Sequence, residues 1–253
     1  MAPSLHKART MLRNSLLLGV LISSALSGCA STPEDELGKE TAADGEDGKG
    51  DGTAAFTFYY VYGDLRACSL NTPDCGVGFF AQRVNRSTTQ CGRGTATATC
   101  HVNLIDFSST ALPSSIQKDY EFSLRNGTPL VLRGSILPSA DDGKILLSAT
   151  EIWEPLKAEA VDGVFTLIKD NGVRCVRAPC PSLTERRVNS NLSAAITGID
   201  FEPSGASESK IELAQAGLYD DGTIVVGYRD TDSAGGKVRT ANNFYTRVPV
   251  PQR

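Results

Sequence analysis

Methionine and tryptophan are almost missing from this chain of 253 residues, which has two of the first and one of the second, and histidine occurs only twice. Past residue 30 no apolar run is long enough to cross a bilayer as a helix, so a polytopic membrane protein is excluded. Net charge is −4, without the broad excess of lysine and arginine that a nucleic-acid surface requires, so nucleic acid is excluded as a partner. After residue 28 there is no P-loop, no HExxH and no G-x-S-x-G. At 40% apolar and 21% charged residues, the composition is that of a globular protein, not of a chain disordered throughout.

What the chain does have begins at its N-terminus. His6, Lys7, Arg9 and Arg13 precede the apolar stretch Leu16 to Leu26, with no acid among them. A positive segment followed by a short apolar one reads as a secretory signal peptide over residues 1–28, not as a membrane span. Leu26-Ser27-Gly28-Cys29 resembles the lipobox of bacterial lipoproteins. That resemblance implies cleavage before Cys29, a diacylglyceryl thioether on its sulfur and an acyl chain on the new amino group. Several chains anchor far more firmly than one. Position 30 is alanine where enteric bacteria use aspartate to hold lipoproteins back, which points to the outer membrane, on its periplasmic or its outer surface.

The lipidated Cys29 and the residues up to 55 read as a tether. Ser31 to Ala55 carries eight acids against two lysines and no apolar periodicity, so it cannot bury a core. As a flexible coil, about 25 residues span on the order of 25–30 Å. Its Asp44-x-Glu46-Asp47-Gly48 run breaks EF-hand spacing, which leaves a solvated spacer. The leader carries +3 and the tether −6, which leaves −1 on residues 56–253 out of the total of −4.

Beyond Cys29 there are six cysteines. Six allow 15 connectivities, and their close spacing favours three sequential disulfides: Cys68 with Cys75, Cys91 with Cys100, and Cys175 with Cys180. Export to an oxidising compartment supports bonding. The spacings C-x6-C, C-x8-C and C-x4-C do not fit zinc, so no metal or other cofactor is expected.

The same landmarks then occur twice in the same order. Arg66, Cys68, Cys75, Arg83-Val84-Asn85 and Ile105-Asp106-Phe107 are followed by Arg174, Cys175, Cys180, Arg187-Val188-Asn189 and Ile199-Asp200-Phe201. Asn85 and Asp106 are 21 residues apart, Asn189 and Asp200 only 11, and the excess is the length of the Cys91–Cys100 segment. Downstream, Asn126 to Gly134 lines up with Asp221 to Arg229, and Gly143 to Pro155 with Gly236 to Pro249. Offsets there stay between 92 and 95, which reads as an internal duplication. Repeat 1 is 56–155 and repeat 2 is 156–253.

Each repeat opens with a β-branched and aromatic strand, Phe56 to Tyr62 or Val164 to Ile168. A second strand ends at Asn85 or Asn189, and a third runs from Val102 to Phe107 or from Ala195 to Phe201. Helices are expected over Ser114–Arg125, capped by Ser114 with Ile116, Tyr120 and Leu124 inward, and over Ser207–Gly217, with Ile211 and Ala214 or Gln215 inward. Two strands close each repeat: 130–136 with 145–153, and 224–228 with 238–245, turning at Asp142-Gly143 and Gly235-Gly236. The expected fold is α+β, mainly antiparallel β, in two tandem β-β-β-α-β-β repeats.

Little chemistry is visible. Past residue 28 the only histidine is His101, which a Ser–His–acid triad would have to use, and beside Cys100 it reads as a surface residue. Asp141-Asp142 and Asp220-Asp221 sit by turn glycines, where aspartate is a turn former. No residue is therefore assigned as catalytic. Two facing carboxylates about 5–10 Å apart in a cleft would argue for a hydrolase. Exposed aromatics such as Phe79 or Phe80 on a shallow surface would argue for binding. In Cys175-Val-Arg-Ala-Pro-Cys180, the residues Arg177, Ala178 and Pro179 form a constrained loop that could sit in a protease cleft, with Arg177 setting specificity.

The lipobox, the acidic tether, the Arg66-Ala-Cys68 to Val84-Asn85 segment and Cys175 to Pro181 together resemble a family of uncharacterised bacterial lipoproteins built on a domain of unknown function. That resemblance brings no catalytic residue with it. The expectation is a non-enzymatic protein of the cell envelope, anchored to the membrane through lipid, that binds an envelope protein or a glycan. The alternatives are a protease inhibitor using the Cys175–Cys180 loop and a carboxylate-dependent hydrolase.

Overall fold

A computed structural model describes residues 57–66, 76–92, 94, 96–138 and 144–250. The signal peptide, Cys29, the tether, Cys68, Cys75 and Asp141-Asp142 lie outside the described residues. The first half contains β1 (Thr57–Gly63), β2 (Phe79–Arg83), a small hairpin of β3 (Thr89–Gln90) and β4 (Ala96–Thr97), β5 (Cys100–Val102), β6 (Leu104–Asp106), α1 (Ser114–Arg125), β7 (Leu130–Pro138) and β8 (Ile145–Pro155). The second contains β9 (Val164–Asp170), β10 (Leu183–Arg187), β11 (Ser193–Ile196), β12 (Gly198–Asp200), α2 (Glu208–Leu218), β13 (Thr223–Thr231) and β14 (Lys237–Arg247).

The fold is α+β and mainly antiparallel, as the alternation of apolar residues indicates. One sheet runs β11-β10-β9-β13-β14-β8-β7-β1-β2-β5. Counted outward from the β14–β8 junction, the two halves have the same strand order. The third strand expected in each half is divided in two. β5 pairs antiparallel with β2, and after Asn103 the chain crosses so that β6 pairs parallel with β8. β11 and β12 do the same against β10 and β14. The reason is tertiary. β5 and β8 lie at opposite edges of their half, and one ribbon touching both closes the half around its own core.

Those cores follow from the two-residue period of the strands. Tyr59, Val61, Phe79, Ala81, Val102, Leu132 and Leu147 fill the first half, and Ile168, Ile196, Val225, Ala241 and Phe244 the second. Residues of opposite parity, among them Phe58, Val84, Val131, Trp153, Val188, Ile224 and Tyr245, form a third cluster between the halves. In α1 the inward stripe is Tyr120 and Leu124, while Ile116 is exposed, contrary to the sequence reading. Pro113, not Ser114, stands at its N-cap, and Gly127 ends it with φ +87°. In α2 the buried residues are Ala214 and Leu218, with Ile211 against the core, and Gln215 faces outward.

β8 and β14 each carry a bulge, with Thr150 extra opposite Arg133/Gly134 of β7 and Asn242 extra opposite Val226/Gly227 of β13. A Cβ on Gly134 would collide with the Ser148 carbonyl, and one on Gly227 with that of Thr240, so both places require glycine. Gly134 and Gly227 thus hold equivalent places in the two halves, two residues from the alignment read off the sequence. The shift arises before the strand, because Thr128 and Pro129 lengthen the turn between Gly127 and Leu130.

The halves meet at two places. At the junction Tyr245, Thr246 and Arg247 pair with Pro155, Glu154 and Trp153. Flanking them, Leu156 N–H donates to the Phe244 carbonyl at 2.8 Å and Val248 N–H to that of Ile152 at 2.9 Å. Across the other side, two asparagines clasp the halves reciprocally. Asn189 Oδ1 accepts from Phe58 N–H at 2.9 Å, and its Nδ2 donates to the carbonyls of Phe58 and Val84 at 2.8 and 3.0 Å. Asn85 Oδ1 accepts from Phe165 N–H at 2.9 Å, and its Nδ2 donates to the carbonyls of Phe165 and Val188 at 2.7 and 2.9 Å. Both asparagines take positive φ, 56° and 59°, which asparagine tolerates better than other residues with a Cβ.

Candidate functional site

Beside the Asn85 clasp the sheet leaves a pocket of about 280 Å³. Three aromatic rings wall it. Phe165 on β9 lies between Tyr60 on β1, at a centroid distance of 6.4 Å, and Tyr245 on β14, at 5.8 Å. The segment Ala160–Gly163, which leads into β9, forms the rim with Gln82, Arg86 and Ser87. Asn242 Nδ2 donates to the Asp162 carbonyl at 3.1 Å and steadies that rim.

The wall continues as a row of rings along the open face of β1 and β2. Tyr60 stands 5.9 Å from Tyr62, Tyr62 5.6 Å from Phe80, and Phe80 5.3 Å from His101. Alternation places them on one face, since residues 60 and 62 on β1 and residue 80 on β2 have the parity opposite to the core. Of the two phenylalanines singled out in the sequence, only Phe80 reaches this face. Phe79 is fully buried in the first core, and the Arg125 guanidinium lies over its ring at 4.8 Å. The row ends where the Arg66 guanidinium covers Phe80 at 4.9 Å. Arg66 is held there by Asp64, which it meets with two nitrogens at 2.8 and 2.6 Å.

Polar groups at the groove divide into those already engaged and those available. The Asn85 amide is occupied by the clasp. Arg86 donates to the Asn189 carbonyl through Nε at 3.3 Å and Nη2 at 2.8 Å. Among the described residues the side chains of Gln82, Ser87 and Asp162 bond to no protein group, although all three are exposed. Burial pushes the phenols of Tyr60, Tyr62 and Tyr245 up from their ordinary value, so all three stay neutral hydroxyls at physiological pH.

The other residues singled out by sequence lie elsewhere. His101 is half-buried, at the end of the row of rings. Its Nε2 bonds the Val77 carbonyl at 2.9 Å and stands 3.4 Å from Asp64. That atom is occupied in holding Val77 beside the Asp64 turn. The Arg66 guanidinium, hydrogen-bonded to buried Asp64, holds that carboxyl well below the usual carboxylate range. Asp221 pairs with Arg247, so Asp220-Asp221 offers no free facing pair. Asp162 is the one acid lining the groove among the described residues. No three of His, Cys, Asp or Glu among the described residues gather to hold a metal ion.

Cys175 and Cys180 are bonded, with Cα atoms 5.6 Å apart, and Arg177, Ala178 and Pro179 between them are exposed. This loop stands beyond the far end of β9, about 20 Å from the pocket by strand length. Cys91 and Cys100, expected as a pair, stand beside each other with their sulfurs not bonded in the structure. Cys91 Sγ lies 3.1 Å from Thr97 Oγ1. Burial, followed by the adjacent Cys91 thiol, pushes the Cys100 thiol up, so it holds its proton. The groove itself escapes sequence reading: Tyr60 and Tyr62 read only as strand residues, and Phe165 and Tyr245 come from strands more than 100 residues later.

Residues 57–251 match the model of a family described as a domain of unknown function, DUF6748. No curated protein matches the chain, and no solved structure does. No helix among the described residues is long and apolar enough to cross a membrane.

Proposed function

We propose, for this chain that belongs to the DUF6748 family, a lipid-anchored, non-enzymatic binding module of the bacterial cell envelope whose ligand lies in the aromatic groove. The observation that carries the reading is the row Phe165-Tyr60-Tyr62, half-exposed, backed by buried Tyr245 and bordered by unengaged polar side chains. Aromatic surface left exposed in a concave site is what ligand-binding grooves share. A hydrolase would need a second carboxylate facing Asp162, and the groove lining supplies none. The Cys175–Cys180 loop has exposure and a closing disulfide in favour of an inhibitor role.

The two halves are read as copies of one ancestral unit, on the support of their common strand order, matching bulges and reciprocal asparagines. Anchoring rests on Leu26-Ser27-Gly28-Cys29, and the outer membrane on Ala30. Cys29→Ser should abolish incorporation of labelled palmitate and move the protein from the membrane to the soluble fraction. Palmitate labelling unchanged by the substitution would remove the anchor from the proposal.

Binding is tested by nuclear magnetic resonance on labelled mature protein titrated with envelope extract. Resonances of Tyr60, Tyr62, Gln82 and Phe165 should move together and saturate. Their constancy while other surfaces respond would end the groove reading.

A further inference from the structure

We infer that the groove takes an uncharged pyranose chain, a neutral oligosaccharide laid along the half-exposed rings of Phe165, Tyr60 and Tyr62. This rests on the groove being the binding site and names its ligand.

The ring geometry excludes one obvious occupant. A cage for an ammonium ion needs rings that stand apart with the cation between them. Here neighbouring centroids are 5.8 and 6.4 Å apart in the pocket with planes inclined by 36° and 61°, so the rings touch each other and form a stepped wall. A stepped wall suits a chain of units that each have an apolar face and turn at their linkages. A pyranose ring is such a ligand: its axial C–H bonds carry partial positive charge toward the negative face of an aromatic ring, and its hydroxyls point outward around the edge.

Charge excludes a second class. A phosphate or sulfate ligand would be met by guanidinium or ammonium groups. Arg86 is drawn to the Asn189 carbonyl and Arg66 to Asp64, while the charged side chain at the rim with no protein partner is the negative Asp162. What is open at the rim is an amide, a hydroxyl and a carboxylate: Gln82, Ser87 and Asp162. Amides and carboxylates bond well to pairs of neighbouring hydroxyls.

A third class, an extended peptide added as a strand, would need an unpaired sheet edge. β1 lies between β2 and β7 and is paired along both sides, so the groove offers a face and no edge. The row continues from the pocket through Tyr62 toward Phe80, which selects a ligand longer than one ring.

The test is calorimetric titration of the exported, mature protein with chitohexaose, cellohexaose and maltohexaose, and with the di- and tetrasaccharides of the same series. At least one hexasaccharide should bind, with affinity rising with chain length. Tyr62→Ala should weaken the hexasaccharide roughly tenfold and the disaccharide much less, because Tyr62 lies outside the pocket. Gln82→Leu, an exposed position that cannot unfold the chain, should weaken every length. Failure of all three sugars overturns the inference. If a proline-rich decapeptide or an envelope extract then shifts the groove resonances, the binding reading stands with another ligand; if neither does, both fall.

Discussion

Glu185→Gln should destabilise the protein by about 3–5 kcal/mol, the cost of removing one partner from a buried ion group. Glu185 and Arg239 are fully buried, and the Arg229 side chain is 8% exposed. Arg239 reaches Glu185 Oε2 with Nε at 2.8 Å and Nη2 at 2.6 Å, while Arg229 holds Oε1. Without the carboxylate two guanidinium ions remain in a site closed to water. The first half shows what else the site can contain. The same steps along the same strand pairs lead from Glu185, Arg229 and Arg239 to Ala81, Ile136 and Leu147, which belong to the apolar core. The triple variant Glu185→Ala, Arg229→Ile, Arg239→Leu should therefore be at least as stable as the parent, because a packed apolar trio has no ions to desolvate. Urea unfolding followed by circular dichroism measures both. A triple variant as damaged as the single one would mean that the ions are needed for more than their mutual compensation.

Asn85→Ala and Asn189→Ala should each cost about 3 kcal/mol. Each substitution removes three hydrogen bonds to backbone groups, and a buried group left unsatisfied costs about 1–3 kcal/mol. Of that total about 1 kcal/mol comes from alanine at positive φ. Glycine in the same places should recover only the backbone part, which separates the two contributions. The double alanine variant should lose less than the sum, since both clasps hold one interface and the second has little left to lose once the first is open. Hydrogen exchange at the Phe58 and Phe165 amides gives the local readout, and both should become unprotected. Additive losses, with exchange unchanged at the other clasp, would show that the two act independently.

The sequence makes the Val84-Asn85 and Val188-Asn189 pairs visible as recurring landmarks and conceals their use. An asparagine in left-handed backbone is a local event, but the groups it bonds lie 80 and 131 residues away. Strands were legible wherever one face is buried, because a two-residue period survives in the residue types. The break between β5 and β6 was not, because Leu104 and Ile105 continue the apolar character and only the pull of β8 on the far edge explains the crossing. Much the same holds for the groove. Parity separates Phe79 from Phe80 once the core face is known, yet nothing in β1 indicates that Phe165 will stand beside Tyr60. The Glu185 group illustrates the opposite limit, in which charged residues lie inside because one carboxylate bonds two guanidinium groups.

The β8–β14 junction is centred on Thr246 opposite Glu154, and these two hold corresponding places in their halves. Contacts that map onto themselves when the halves are exchanged are those of an isologous dimer, in which one patch serves both partners. Two separate identical protomers of this shape would have to carry the same residue at every pair of matching positions. Joined in one polypeptide they are released from that symmetry, and the halves differ accordingly: Tyr60 and Tyr62 stand where the second half has Leu167 and Lys169, and among the described residues the three-ion centre lies in the second half. Covalent linkage thus lets the residues of either half differ from their counterparts while the two-fold pairing at the junction is kept.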